Sequence, residues 1–261
     1  MKLNYMHPIG LITLALLPSI SLATFSIVAV DPVTGEIGSA GATCIGAEDG
    51  AIVISDIVLG TGVIHTQSFY SPTNQNNARV RMEAGDSPQQ IMDWLFANDA
   101  GNDATLRQYI AVDLNNGSPR SAGFSGPACF PEFTDVSGPN YAIAGNILIS
   151  ESVVTDMETA FTNAKGSLSD RLMASLQAAK RTGADVRCES LGISSASAFI
   201  RVARPCDKNS GMGDLPLDLN VWISSGDDIF EPIDELQTQY NNLPPLATCE
   251  SDIIFLNGFE E

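Results

Sequence analysis

The protein has 261 residues, of which 44% are hydrophobic and 17% are charged, a balance typical of globular proteins. Its 13 basic and 31 acidic side chains give a formal net charge of −18 at pH 7. Nucleic acids and anionic lipid surfaces are themselves polyanions, so we expect neither as a partner.

The first 23 residues have the pattern of a secretory signal peptide. Lys2 precedes an apolar run over 9–17, which is too short to cross a bilayer, so we expect no membrane span. Ser21 and Ala23 are small residues at the two positions that signal peptidases read, and they place the cut before Thr24. We therefore expect a secreted or periplasmic protein.

The rest of the chain reads as hairpins interrupted by helices, which predicts one α+β domain with antiparallel sheets over 24–243. Pro244 and Pro245 end that domain, and 244–261 is interpreted as a C-terminal tail. Alternation predicts strands over 24–30, 37–43, 51–58, 62–69, 108–114, 119–124, 194–203 and 217–223. Helical spacing and capping residues predict helices beginning at 86–88 and over 154–164, 168–179 and 230–240.

Five cysteines follow the predicted cut, and in an exported protein they favour disulfides. None has the C-x-x-C spacing of a zinc or redox site, so we interpret them as structural links. The pairing that we favour joins Cys188 to Cys206 and Cys44 to Cys129, with Cys249 left over. The sequence leaves the other pairings open.

Motifs for metals and cofactors are missing from the sequence. Downstream of the predicted cut His65 is the one histidine, which excludes a multi-histidine metal centre. The segment 60–62, Gly-Thr-Gly, lacks the third glycine of a dinucleotide loop. The segment 207–218 has oxygen side chains at alternate positions, as calcium loops do, but Met212 stands where such loops need glycine. We expect no cofactor and no metal, and a calcium-dependent adhesin-like domain is an alternative.

Thr24 would be the first residue after the predicted cut, and an N-terminal threonine can supply a nucleophile and a base together. Its hydroxyl oxygen attacks a carbonyl carbon, while its α-amine, which ordinarily titrates at about 7.7–8.0, accepts the hydroxyl proton. A hydrolase of this kind needs no histidine. The alternative is that Thr24 merely begins a strand.

Seven stretches, taken in order, identify a family. They are TFSIVAVDPVTGEIG at 24–38, IHTQSFYSP at 64–72, GDSPQQIMDWL at 85–95, YAIAGNIL at 141–148, GADVR at 183–187, SSASAFIRV at 194–202 and DLNVW at 218–222. Together they resemble the domain-of-unknown-function 1028 group of N-terminal-nucleophile (Ntn) hydrolase-like proteins. The resemblance implies a four-layer αββα sandwich of two antiparallel sheets between helical layers. It also implies an amide-cleaving activity, without naming the substrate.

The resemblance implies roles for three catalytic candidates. Thr24 matches the nucleophile position. Asn146, in the stretch GNIL, is the candidate donor to the oxyanion, since a side-chain amide N–H can stabilise a tetrahedral intermediate. Ser26 shares a strand face with Thr24, by the period of two, and is the candidate to orient its amine.

Three further residues are candidates for the substrate site. Thr66 and Gln67 would line it, and Asp185 would hold the ammonium group or a neighbouring arginine such as Arg187. We therefore predict an exported hydrolase that cleaves an amide bond in a small-molecule or peptide-like substrate. The rival prediction is a non-catalytic secreted binding module on the same fold.

Three features of the sequence depart from the family or lie outside it. Cys188 stands where the family pattern continues Arg-Gly, and the stretch 123–133 differs from the usual pattern of its region. The segment 249–261 resembles a short C-terminal motif of exported proteins in some Gram-negative bacteria. The sequence is compatible with a homo-oligomer and does not fix the oligomeric state.

Overall fold

Two antiparallel β-sheets stack face to face in the structure, a computed structural model that describes residues 21–22, 24–247 and 249. The strands are β1 (Ser21–Leu22), β2 (Thr24–Val30), β3 (Ile37–Thr43), β4 (Ser55–Val58), β5 (Gly62–Phe69), β6 (Arg107–Asn115), β7 (Ser118–Ser125), β8 (Thr134–Gly138), β9 (Tyr141–Asn146), β10 (Ser197–Ala203) and β11 (Leu217–Trp222). The α-helices are α1 (Pro72–Glu83), α2 (Pro88–Ala97), α3 (Ser152–Asn163), α4 (Leu168–Ala179) and α5 (Pro232–Asn241).

The strand order places β2 near the middle of the larger sheet. That sheet runs β11-β10-β3-β2-β9-β8, and the smaller sheet runs β1-β5-β6-β7 with β4 also paired to β5. In the larger sheet Thr24 pairs with Asn146 on one side, and Phe25 pairs with Ala42 on the other. The first residue of β2 is therefore enclosed by strands on both sides.

Three apolar layers hold the four structural layers together. The outer face of the larger sheet packs against α3, α4 and α5, through a cluster that includes Phe25, Met157, Leu172 and Ile233. The outer face of the smaller sheet packs against α1 and α2, through residues that include Ile64, Tyr109, Met82 and Ile91. Between the two sheets lie residues such as Val28, Ile110 and Ala142. The predicted α+β class and the αββα sandwich are confirmed.

Local sequence signals explain where helix α2 begins. Helix α2 starts with a capping box, in which the Ser87 backbone N–H donates to Gln90 Oε1 (2.8 Å) and the Gln90 N–H donates to Ser87 Oγ (3.3 Å). Pro88 occupies the first turn, where its missing N–H leaves no hydrogen bond unmade. This confirms the predicted helix start at 86–88.

The predicted disulfide pairing was wrong. The structure joins Cys44 to Cys188 and Cys206 to Cys249, and within the described residues Cys129 is the unpaired, buried cysteine. The fold, rather than closeness in the chain, decides the pairing, because the two partners of the first bridge are 144 residues apart. The second bridge attaches the tail to the segment after β10.

Some predictions lie partly outside the described residues. Of the predicted signal peptide 1–23, the structure describes only strand β1. Of the tail 244–261, it describes 244–247 and Cys249, which is buried. None of the described helices is long and apolar enough to cross a membrane.

The calcium alternative finds no support in the loop that suggested it. The Asp207 carboxylate pairs with Arg204 at 2.7 Å, and the Asp218 carboxylate pairs with Arg201 at 2.9 Å. Each acidic group at the ends of 207–218 is thus neutralised by an arginine and is not turned toward a common centre. Among the residues that the structure describes, no group of three or more His, Cys, Asp or Glu side chains is placed so that it could hold a metal ion.

Candidate active site

The layer between the two sheets changes character along its length. One end is filled by apolar side chains, namely Val28, Val30, Ile37, Ile57, Val63, Ile110, Val112, Ala142 and Ala144. The other end holds buried polar side chains from β2, β5, β6 and β9, namely Thr24, Ser26, His65, Gln67, Gln108 and Asn146. We call these six residues the polar cluster. Each is at most 1% exposed.

Strand alternation and register bring the polar cluster together. Residues 24, 26 and 28 of β2 face the smaller sheet, as the packing of Val28 shows. Asn146 is the cross-strand partner of Thr24, and Gln67 is the partner of Gln108. The cluster is thus assembled from residues far apart in the sequence.

One backbone carbonyl fixes the direction of the hydrogen bonds in the cluster. Gln108 Nε2 donates to Gly145 O (3.0 Å) and to Ser125 Oγ (2.8 Å). Its Oε1 atom is therefore the acceptor, and it accepts from Gln67 Nε2 (2.7 Å) and from Asn146 Nδ2 (2.9 Å). The amide orientations of Gln67 and Asn146 follow from that of Gln108.

The hydrogen-bond direction that Gln108 fixes extends through Gln67 and Ser26 to His65. With its nitrogen on Gln108, Gln67 turns Oε1 toward Ser26 and accepts the Ser26 hydroxyl hydrogen at 2.6 Å. The Ser26 oxygen then accepts from His65 Nδ1 at 2.9 Å, so the neutral ring carries its hydrogen on Nδ1. Burial, with a smaller effect from Arg201, lowers the pKa of His65 to about 3. His65 is therefore neutral and a very weak base at physiological pH.

Asn146 combines an unsatisfied acceptor with a strained neighbour. Its Oδ1 atom is buried and has no hydrogen-bond partner within the described part of the chain. The next residue, Ile147, has φ of +53°, a left-handed conformation that is rare for a β-branched side chain. The Ile147 N–H donates to Phe130 O (3.3 Å), and its carbonyl accepts from the Val186 N–H (3.1 Å). Such strain often marks functional sites, because the surrounding structure must maintain it.

Asp185 precedes a short 3-10 helix and contacts Cys44, the residue that follows β3. Its fully buried carboxylate accepts from the Cys44 N–H at 2.6 Å and from Arg187 Nη2 at 2.8 Å. Arg187 Nη2 also donates to Thr43 Oγ1 at 3.2 Å. The pairing of Phe25 with Ala42, extended by one residue, places Thr43 opposite Thr24. Asp185 therefore reaches the site through Arg187 and Thr43.

The structure brings together most of the site residues that the sequence proposed. Thr24, Ser26, Gln67 and Asn146 share the polar cluster. Thr66 does not join them, because it is on the opposite face of β5, where its partner Tyr109 packs against α1 and α2.

Two members of the cluster, His65 and Gln108, were not proposed from the sequence. The alternation of β5 places His65 on the same face as Val63 and Gln67, which was a usable signal for the histidine. Gln108 begins a predicted strand and has no local signal, since its role depends on contacts with β5 and β9.

The cluster is closed to solvent, and a short strand lies close to it. Strand β1 pairs with the end of β5, Ser21 with Phe69 and Leu22 with Ser68. The chain thus passes from the smaller sheet at Leu22 to the larger sheet at Thr24. A groove with a volume of about 740 Å³ lies elsewhere, between β11 and α5.

The fold and the cluster define a four-layer αββα protein with a buried polar site at the start of a central strand. The chain belongs to the family of unknown function DUF1028, whose model matches residues 24–235. A crystal structure of a DUF1028 protein from Silicibacter pomeroyi has 27% sequence identity and a TM-score of 0.66, covering 85% of this chain and 88% of that chain. A Gly-1 mutant of Anbu from Hyphomicrobium sp. strain MC1 has 11% identity and a TM-score of 0.41, covering 91% and 98%. No curated protein matches the chain.

Proposed function

We propose that the protein is an exported hydrolase of the N-terminal-nucleophile type. Removal of residues 1–23 makes Thr24 the first residue, its hydroxyl the nucleophile and its α-amine the base. The substrate is a small-molecule or peptide-like amide, and the protein acts in the periplasm or outside the cell.

The position of Thr24 is the observation that carries this proposal. Thr24 begins a central strand and faces a buried polar cluster, at the point where the layer between the sheets stops being apolar. The family match also begins at residue 24, so the segment before it lies outside the shared domain. If residue 24 only began a strand, any β-forming residue in an apolar neighbourhood would serve there.

The chemistry needs no further base. The α-amine takes the proton from Thr24 Oγ1 as that oxygen bonds to the carbonyl carbon of the amide, giving a tetrahedral intermediate. The ammonium then protonates the leaving nitrogen as the C–N bond breaks, leaving an ester on Thr24. Water, deprotonated by the same amine, hydrolyses the ester and restores the hydroxyl. His65, neutral with a pKa lowered to about 3 by burial, is too weak a base to replace the amine.

The polar neighbours supply orientation and charge stabilisation. Ser26, fixed between Gln67 and His65, is a rigid hydroxyl on the same strand face as Thr24. One N–H of Asn146 Nδ2 is used by Gln108, and the other is our candidate donor to the oxyanion. Arg187, held by Asp185, adds a positive charge beside Thr43 at the edge of the site.

A reactive electrophile tests the proposal without a known substrate. We expect a β-lactone to add one equivalent to the exported protein, on Thr24, because an activated hydroxyl opens the ring under mild conditions whereas an ordinary hydroxyl does not. Thr24→Ala should abolish the adduct while leaving Tm nearly unchanged. Thr162→Ala, which removes an exposed helix hydroxyl, is the matched control and should label like the wild type.

Two outcomes would count against the hydrolase. Equal labelling of Thr24→Ala and the wild type would show that the adduct forms elsewhere. A wild-type protein with Thr24 first and no adduct would favour the rival, a secreted binding module on the same fold.

A further inference from the structure

Asn146 presents an acceptor that the described structure leaves unused. Its Nδ2 atom is held on Gln108 Oε1 at 2.9 Å, and Gln108 cannot turn over without losing its bonds to Gly145 O and Ser125 Oγ. Asn146 Oδ1 therefore keeps its orientation, fully buried and without a partner among the described residues. A buried acceptor without a donor is costly, so such an atom usually has a use.

The nearest source of new donors is the residue paired with Asn146. Thr24 is its cross-strand partner, and both side chains face the space between the sheets. Directly opposed side chains on one sheet face have Cβ atoms about 4.5–5.5 Å apart, so the Asn146 side chain is a direct neighbour of Thr24. In the uncut chain, the backbone nitrogen of Thr24 belongs to a peptide bond and carries one hydrogen.

Cleavage before Thr24 changes the number of donors at this place. The peptide nitrogen becomes an amine with two hydrogens, or an ammonium group with three. We propose that Asn146 positions the α-amine of Thr24 by accepting one of these hydrogens at Oδ1. This inference rests on the proposed function, since it requires Thr24 to be the first residue.

The proposed contact should change the pKa of the Thr24 α-amine, which a purely structural role of Asn146 would not do. A carbonyl dipole pointing at the amine stabilises its protonated form and raises the amine pKa. The other groups that face Thr24 are neutral in β2, β5 and β6, namely Ser26, Gln67, Gln108 and the uncharged His65. Beyond Thr43 on β3 lie the opposite charges of Arg187 and Asp185, paired at 2.8 Å, whose effects on the amine oppose one another.

The test is the α-amine pKa of the full chain recovered after export. Threonine is labelled with carbon-13, and the Thr24 Cα resonance, assigned by its loss in Thr24→Ser, is followed across pH. Asn146→Ala should lower the amine pKa, and Asn146→Asp, which places a negative charge on the same shape, should raise it. Asn163→Asp, a change on an exposed helix face, is the control and should leave the value unchanged.

The outcomes separate this inference from the proposed function. An amine pKa equal to the wild-type value in either Asn146 variant overturns the positioning role. Asn146→Ala keeps the proposal testable even if the buried charge and the lost Nδ2 donor of Asn146→Asp prevent folding. Shifted values in a protein that the β-lactone fails to label would keep the positioning role and remove the hydrolase. A recovered chain that begins elsewhere than Thr24 removes both.

Discussion

The two ends of the layer between the sheets are built on opposite principles. At the apolar end, side chains such as Val28 and Ile110 are buried with no polar atoms to satisfy, and burial alone stabilises them. At the polar end, the six-residue cluster needs a directed chain of hydrogen bonds, and within the described residues it still leaves His65 Nε2 and Asn146 Oδ1 without partners. Each such atom costs about 1–3 kcal/mol. The polar end therefore contributes less to stability than the apolar end does.

The disulfide at the polar end should show the largest effect on stability. The Cys44–Cys188 bridge closes a loop of 144 residues and holds the segment that carries Asp185. Cys44→Ala should lower the free energy of unfolding by about 4–5 kcal/mol, since cross-linking removes disorder from the unfolded chain. Urea unfolding measures this change.

Cys249→Ala is the control for the disulfide. It opens a loop of only 43 residues, so its cost should be about 1 kcal/mol smaller in the same chain-entropy view. It should also leave the β-lactone reaction at Thr24 unchanged, whereas Cys44→Ala should slow it. The opposite pattern would mean that the first bridge has no special relation to the site.

A pair of substitutions on β6 compares the two ends directly. Ile110 and Gln108 are two residues apart and face the same layer. Ile110→Ala should cost about 2–5 kcal/mol through lost burial and a cavity, without slowing labelling of Thr24. Gln108→Leu should cost about 1–3 kcal/mol, because it leaves the donors of Gln67 and Asn146 without their acceptor, and it should slow labelling. If both variants slow the labelling of Thr24 equally, under conditions where the two are equally stable, the proposed difference between the two ends of the layer is wrong.

The last effect concerns pH and is smallest near neutrality. The folded pKa of His65 is lowered to about 3 from an ordinary value of 6.5, so between these limits the unfolded chain binds a proton that the native chain does not. His65 therefore makes stability fall as pH decreases through this range, by at most about 1.4 kcal/mol per pH unit, and has no such effect above it.

The variant His65→Asn isolates this effect, because its amide can replace the Nδ1 donor to Ser26 without titrating near neutrality. The stability difference between wild type and variant should be flat above pH 6.5 and should change steadily below it. A difference that stays constant from pH 7 to pH 4 would show that His65 takes up its proton over the same pH range in the folded protein as in the unfolded chain, and would contradict the lowered pKa.

The regular parts of the fold were predictable because their signals are local. The hairpin β6–β7, the helix pair α3–α4 and the capped start of α2 each follow from alternation, helical spacing or a cap within a few residues. Helix α1 was missed. Its buried residues are only Asn74, Ala78 and Met82, so its sequence has almost no apolar face.

The site was predictable only where the strand period reveals it. Thr24 and Ser26 share a face by the period of two, and the same rule should have separated Thr66 from Gln67. The hydrogen bond between Asn146 and Gln108, and the disulfide between Cys44 and Cys188, join segments far apart in the chain. No local pattern encodes such contacts, since they depend on strand order and on the stacking of the two sheets.

The most direct test of the central claim is the N-terminal sequence and intact mass of the protein recovered after export. The proposed mechanism requires the chain to begin at Thr24 with an unmodified α-amine. A mature protein that begins at that residue, without an acetyl or other group on its nitrogen, is the predicted result. A chain that begins at any other residue, or whose Thr24 amine is blocked, would contradict the threonine mechanism.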